Sequence, residues 1–315
     1  MSLNTNKSES EWNYSESDIA QKFLLFNVLK DGRVHVLTPP AESVPPSFGT
    51  TPDVLTKDVE ISTEVFARIS IPSSASTNAC TTQKLPVVFY LQGGGFCKQY
   101  AFSEDSTRFG SDIAAEANVI FITIKYGIFP ARPLPACYDD SWAALQWLAS
   151  HSKGTTGPEP WINDYADLGR IFVGGNSAGG NICHTLLAKA GSMGLPGDAK
   201  VEGMILIHPY FGEDDKMWMY MCPTNEGPQD PRMKPAVEDL PRIVCGRVLV
   251  VLAEKDVLYG AGNMYAEELI KSGWKGTVEI MENKDKDHCF NFSNFMDLEA
   301  IAIRQRIASF IHNQS

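Results

Sequence analysis

Short apolar runs recur along the chain at 87–91, 119–125, 170–174, 203–208, 247–253 and 277–281. Between them lie stretches with helical spacing, among them TRFGSDIAAEA, DDSWAALQWLAS and GNMYAEELIKSGW. Buried strands alternating with helices predict an α/β fold with a mostly parallel sheet covered on both faces, and in such sheets chemistry gathers at the carboxyl ends of the strands. Upstream, QKFLLFNVLKDGRVHVL alternates apolar and polar residues around the turn signal Asp31-Gly32 and predicts a hairpin. Residues 1 to about 20 read as a weakly ordered arm. The Pro/Ser/Thr-rich stretch 39–53 reads as a crossing loop, VLTKDVEI and VFARISIP as strands, and 73–83 as a linker. The last stretch, MDLEAIAIRQRIASFIHNQ, has helical periodicity and predicts a closing helix.

The alternation breaks once, between Tyr210 and Arg247, where Pro, Met and aromatic residues crowd a stretch too irregular for one crossover helix. One domain over 1–315 is expected, with small cap elements at about 1–50 and 211–243. The stripe Met217-Trp218-Met219-Tyr220-Met221 fits either the core of that cap or the roof of an apolar pocket, which makes Met217, Trp218 and Tyr220 candidates for substrate contact.

Composition narrows the class. A chain of 315 residues, 43% hydrophobic and 21% charged, is globular rather than disordered. With 27 basic and 38 acidic residues the net charge is −11, which disfavours nucleic acid and anionic membranes as partners. No apolar run approaches the ~20 residues of a membrane span, and the polar first residues lack a signal-peptide core, so a cytoplasmic location is the expectation. The seven cysteines and six histidines are scattered without metal-ligand spacing, so reduced thiols and no metal are expected. Monomer and homodimer both remain open.

The chemistry concentrates in three places. Gly175-Asn176-Ser177-Ala178-Gly179 joins the run IFVG to the helical pattern GNICHTLLAKA. A G-x-S-x-G between strand and helix allows the sharp turn that exposes a nucleophilic serine, and the helix start aims backbone N–H groups at developing negative charge. Gln92-Gly93-Gly94-Gly95-Phe96 follows VVFYL, where glycines let backbone amides approach a substrate oxygen; no phosphate-loop pattern can be drawn there. A serine needs a base, and the base an orienting acid. His288, in the loop DKDHCF, is the preferred base over His184 on the elbow helix, His208 in ILIHPY and His312 near the end. Asp256, closing VLVVLAEKD, is preferred over Glu254, Asp285 and Asp287, which read as solvated loop charges.

These motifs, with Tyr126…Pro130…Leu134-Pro135-Ala136…Asp139-Asp140 and the tail AEELIKSGWKGTVEIMENKDKDHCFNF, resemble the plant carboxylesterases of the hormone-sensitive-lipase branch of the α/β-hydrolases, over nearly the whole chain from about residue 20. The resemblance implies an eight-stranded sheet with a cap, a Ser177/Asp256/His288 triad, and an oxyanion hole from the amides of Gly93, Gly94 and Ala178. Gln92 and Phe96, flanking the glycines, join the substrate-contact candidates. Gln92 stands where the family usually has His, Asn176 where it has Asp, and Tyr126-Gly-Ile-Phe-Pro-Ala replaces Tyr-Arg-Leu-Ala-Pro-Glu.

The expected activity is that of a serine carboxylesterase acting on a small, largely apolar ester in plant specialised metabolism, without metal or organic cofactor. Two alternatives follow from the same resemblance. One is a specialised enzyme performing elimination, cyclisation, or alkaloid ester cleavage with decarboxylation. The other is a hormone receptor, which the presence of His288 disfavours.

Overall fold

The computed structural model of the chain describes residues 12–47, 51–77, 84–152 and 157–313. Residues 1–11 of the expected arm, 48–50 of the crossing loop and 78–83 of the linker lie outside the described residues.

A small antiparallel sheet comes first, made of β1 (Ile19–Lys22), β2 (Phe26–Leu29) and β3 (Val34–Val36), with the predicted Asp31-Gly32 turn between the last two. The main sheet holds β4 (Val54–Glu60), β5 (Phe66–Pro72), β6 (Leu85–Leu91), β7 (Ile120–Lys125), β8 (Ala166–Asn176), β9 (Val201–Ile207), β10 (Arg247–Ala253) and β11 (Thr277–Asn283). Their spatial order is β11-β10-β9-β8-β6-β7-β5-β4. Only the pairings made by β5 are antiparallel. The helices are α1 (Ser73–Thr77), α2 (Glu104–Glu116), α3 (Ala136–Ala149), α4 (Pro160–Tyr165), α5 (Ala178–Met193), α6 (Lys216–Met221), α7 (Tyr259–Lys271) and α8 (Leu298–His312).

The strand period sorts side chains onto two cores. Val87, Phe89 and Leu91 of β6 pack with Leu145 and Leu148 of α3, Ile182 and Leu186 of α5 and Leu269 of α7. Val88 and Tyr90 pack on the opposite face with Phe109 and Ile113 of α2 and Ile303, Ile307 and Phe310 of α8. Burial on both faces is why the central strands read as apolar runs rather than as alternating ones. β11, at the edge, is half-exposed along its length. Local signals agree with the helix starts: Ser103 caps α2 by accepting from the Ser106 amide, with Glu104 and Asp105 in the first turn.

Two expectations are corrected. The arm is ordered from residue 12: Trp12 stacks on His35 at 4.4 Å, and the Tyr14 hydroxyl hydrogen-bonds His35 Nδ1 at 2.6 Å and accepts from Asn27 Nδ2 at 3.1 Å. Aromatic contacts across the hairpin supply an ordering force that a reading of polarity alone does not weigh. In the linker, residues 73–77 form a helical turn rather than an irregular stretch. The stretch after β9 carries only α6 and a 3₁₀ turn at Leu240–Arg242 as helical elements. Tyr220 of α6 meets Phe23 and Phe26 at ring distances of 5.2 and 5.8 Å, which joins this stretch to the N-terminal sheet.

The crossing of α5 over the end of β6 is the tightest constraint on the site. A Cβ at Gly179 would stand 1.8 Å from the Leu91 carbonyl oxygen, which is backbone and cannot swing aside. We predict that Gly179→Ala destabilises the protein by about 2 kcal/mol or more, as overpacking at a rigid contact does. Gly212→Ala, where nothing lies within 4 Å, should stay within about 0.5 kcal/mol. Urea unfolding midpoints of the two variants check this, and equal midpoints would show that α5 shifts freely.

Candidate active site

β8 runs directly into α5 with Ser177 between them, at φ 52° and ψ −122°. A non-glycine residue with positive φ carries strain of about 1–3 kcal/mol and persists only where its surroundings hold it. Here they do: the Ser177 amide donates to the Ile207 carbonyl at 2.9 Å, and its carbonyl accepts from the Tyr210 amide at 3.0 Å. The strained turn lifts Oγ to 2.9 Å from His288 Nε2, and His288 Nδ1 lies 2.6 Å from Asp256 Oδ2. The other Asp256 oxygen accepts from the Leu258 amide at 2.8 Å. The structure thus brings Ser177, His288 and Asp256 together from loops after β8, β11 and β10. Glu254 and Asp285 stand apart from this chain, in exposed loops where Glu254 accepts from the Asp285 amide.

Burial separates the two ends of this chain, with the Asp256 side chain 1% exposed and that of His288 36% exposed. Burial pushes the Asp256 carboxyl up, but the hydrogen bonds from His288 and the Leu258 amide outweigh it and hold Asp256 ionised, below its ordinary range. Burial likewise opposes a charged His288, and the Asp256 carboxylate together with the Cys289 sulfur outweighs it, so the imidazole lies above its ordinary value. Cys289, next in sequence, has a left-handed backbone at φ 55° and donates its amide to His208 Nδ1 at 3.0 Å. Burial alone would raise its thiol, yet His208 and His288 beside it hold it low.

The glycine loop corrects one expectation. The Gly93 amide is occupied, donating to Asn176 Oδ1 at 3.0 Å, so it is not free for an oxyanion. Among the described residues, the Gly94 and Gly95 amides donate to no protein group, and both residues line the cavity over Ser177. Ala178 opens α5, where the first amides have no partner within the helix. Gly94 has no room for a side chain, since a Cβ would stand 2.2 Å from the backbone carbonyl oxygen of Lys98, and a Cβ at Gly95 would require Leu25 to shift its Cδ1, 2.2 Å away. The Tyr126 hydroxyl donates to the Gln92 carbonyl, and the Gln92 side chain accepts from Ser106 Oγ at 3.4 Å.

Asn176 ties these parts together. Its Oδ1 takes the Gly93 amide and the Tyr90 hydroxyl, and its Nδ2 donates to Cys289 Sγ at 3.5 Å. One buried amide therefore joins the glycine loop to the loop that carries His288. The aspartate usual in the resembling family has no N–H for that last contact.

The cavity over Ser177 measures about 710 Å³, and its wall includes Leu24, Leu25, Gln92, Met217, Val257 and Leu258. Of the substrate-contact candidates, Gln92 and Met217 line it, whereas Phe96, Trp218 and Tyr220 do not. Phe96 is buried against Tyr138 and Tyr210. Trp218 is buried with its indole N–H donated to the Tyr138 hydroxyl at 3.3 Å, and Tyr220 faces the N-terminal sheet. A six-residue helix turns one face to the cavity, so adjacent members of an apolar stripe cannot all reach it. Sequence reasoning missed Leu24, Leu25 and Val257, because apolar residues in loops carry no periodic signal. It also missed His208, whose place just beyond β9, at φ 47° and 1% exposure, is set by tertiary contacts. His184 is buried at 3.0 Å from the Tyr265 hydroxyl, burial pulls its pKa down to about 4, and it stays neutral.

A family profile described as the alpha/beta hydrolase fold matches residues 88–292. The chain is 35% identical to probable carboxylesterase 5 of Arabidopsis thaliana, over 94% of this chain and 99% of that protein. It is 34% identical to a 2-hydroxyisoflavanone dehydratase of Glycine max, over 91% of this chain and 96% of that one. A hyperthermophilic esterase from the archaeon Pyrobaculum calidifontis has a similar fold, with a TM-score of 0.66, 21% identity, and coverage of 82% of this chain and 85% of that one. Among the described residues, no helix is long and apolar enough to cross a membrane.

The Asn176 tie generates a test. Asn176→Leu removes the acceptor shared by the Gly93 amide and the Tyr90 hydroxyl and leaves both donors buried, whereas Asn176→Asp removes only the contact with sulfur. We predict that Asn176→Leu slows labelling of Ser177 by a fluorophosphonate about tenfold or more, the equivalent of ~1.4 kcal/mol, while Asn176→Asp slows it less. Labelling rates measured by mass spectrometry decide, and an unchanged rate in Asn176→Leu would show that the tie does not position the surroundings of Ser177.

Proposed function

This chain belongs to the α/β-hydrolase family, in the branch of the plant carboxylesterases, and is a carboxylic ester hydrolase; from that premise we propose that it cleaves a small, largely apolar ester through an acyl-enzyme on Ser177. The observation that carries this reading is the continuous hydrogen-bonded chain from Ser177 Oγ through both nitrogens of His288 to buried Asp256. In this mechanism neutral His288 takes the Ser177 proton as Oγ attacks the ester carbonyl. The amides of Gly94, Gly95 and Ala178 hold the oxyanion, and His288 then protonates the leaving alcohol. Water activated by the same imidazole attacks the acyl-enzyme, the acid departs, and Ser177 regains its proton. Asp256 fixes the Nδ1–H tautomer and stabilises the imidazolium. The cap elements at the N-terminus and after Tyr210 serve as the roof of the pocket.

The wall supports an apolar substrate. Leu24 and Val257 are 82% and 92% exposed, and with Leu25, Met217 and Leu258 they give the cavity an apolar side, while Lys98, Asp105 and Asp215 also line it. Apolar pockets with few polar groups are what small-molecule sites of this size generally present. A second reading is carried by the similarity to the dehydratase: the same pocket performs an elimination in plant specialised metabolism. Gln92 and Asn176, neutral where the family usually places His and Asp, are the residues that favour it. Analysis of products for released acid and alcohol, or for loss of water from an intact skeleton, separates the two.

Mutagenesis tests the mechanism. Ser177→Ala should lower kcat on short 4-nitrophenyl esters by ~10³ or more without unfolding the protein, and retained activity would remove Ser177 from the chemistry. The pH dependence follows from the raised His288. Only the neutral ring accepts a proton, so activity is present above its pKa and lost as pH falls through it, which places the acidic limb of kcat/KM above the ordinary value of 6.5. Asp256→Asn removes the carboxylate that raises the ring, so the limb moves to lower pH while kcat drops by ~10⁴. A limb that stays in place in Asp256→Asn would show that another group sets it.

A further inference from the structure

A second cavity of about 770 Å³ lies beside the first, between the N-terminal sheet, the prolines at 39 and 40, the end of the glycine loop and the segment after β7. Lys98 and Lys125 both line it and both are half-buried, and among the described residues neither has a carboxylate within ion-pairing distance. Elsewhere in the chain, half-buried Lys57 and Lys286 are paired, with Glu159 and Asp297. Arg132, on the same wall, is already held by Asp140. Glu64, the one carboxylate on the wall, is exposed and pairs with neither lysine. Lys125 Nζ also stands 5.7 Å from the Phe102 ring centroid, a contact that supplies no counter-charge. Two partly desolvated cations without a carboxylate partner favour an anion from outside the chain.

The rest of the wall says what kind of anion. Val36, Phe66, Ile128 and Phe129 give it an aliphatic and aromatic lining. The Gln99 amide group is engaged, donating to the Tyr126 carbonyl and accepting from the Ala101 amide. Inorganic phosphate would leave the apolar part of the wall against water, whereas an organic acid sets its carboxylate at the ammonium groups and its apolar body on the remaining surface. We infer that this cavity binds a small organic carboxylate with an apolar body, its carboxylate between Lys98 and Lys125. Lys98 also lines the cavity over Ser177, and the amides of Cys97 and Lys98 donate to the Gly94 carbonyl at 3.1 and 2.9 Å. An occupant therefore touches the segment that braces the glycine loop. The inference goes beyond ester cleavage and does not depend on which residue is the nucleophile.

The test is calorimetric titration of the full chain at low salt with 3-phenylpropanoate and with octanoate, using 3-phenylpropanamide as the neutral control. One-site binding of at least one acid is expected, weakening as salt rises, with no binding of the amide. Lys125 lines only the second cavity, so Lys125→Met should weaken binding about tenfold or more while Lys125→Arg retains it. Met217→Ala, on the wall of the first cavity only, should leave the affinity unchanged. The inference is overturned if neither acid saturates the wild-type protein below about 10 mM. It is equally overturned if the amide binds as well as the acid, or if Met217→Ala weakens binding as much as Lys125→Met does.

Discussion

The strained turn at Ser177 is the constraint on which the rest of the site depends. A strand that passes into a helix with one intervening residue needs that residue at positive φ, and it needs the helix to start almost against the neighbouring strand. Gly179 permits the second condition, because any side chain there would strike the Leu91 carbonyl. The amides of Ser177 and Tyr210 then pin the turn to β9 and to the segment beyond it. The energy held in this turn keeps Oγ raised toward His288, and the packed cores on both faces of the sheet are what sustain it.

Asn176, one residue before the strained serine, extends that constraint sideways. Because β6 and β8 are neighbours in the sheet, the loop after one passes within hydrogen-bond reach of the last residue of the other. The amide side chain holds Gly93 with its oxygen and Cys289 with its nitrogen, so the parts on either side of Ser177 share one support. That changes the meaning of the glycine run: the first glycine serves the scaffold, while among the described residues the amides of the second and third have no protein acceptor.

Both cavities adjoin the same loop but differ in chemistry. The one over Ser177 has exposed aliphatic residues on its border, with Lys98, Asp105 and Asp215 also on its wall, while Asp256 is buried behind His288. The other gathers unpaired lysines above an apolar lining. Lys98 stands between them, so the two sites are neighbours through a wall rather than through a distant network.

The residue pattern by itself determined the strand and helix succession, the parallel sheet and the elbow, because buried strands and amphipathic helices have different periods and because G-x-S-x-G has meaning only between the two. Ser177, Asp256 and His288 were legible for the same reason: each follows a recognisable strand, and parallel strands deliver their ends to one edge. Which amides are free was decided only in three dimensions, since the Gly93 amide meets an acceptor 83 residues away in sequence. The same holds for Phe96, Trp218 and Tyr220, whose apolar character marked them as buried without saying whether they face a cavity or a neighbouring ring. His208, Leu24 and Lys125 lie beyond any local signal. Their roles arise from which loops the strand order brings together, and spacing along the chain does not encode that juxtaposition.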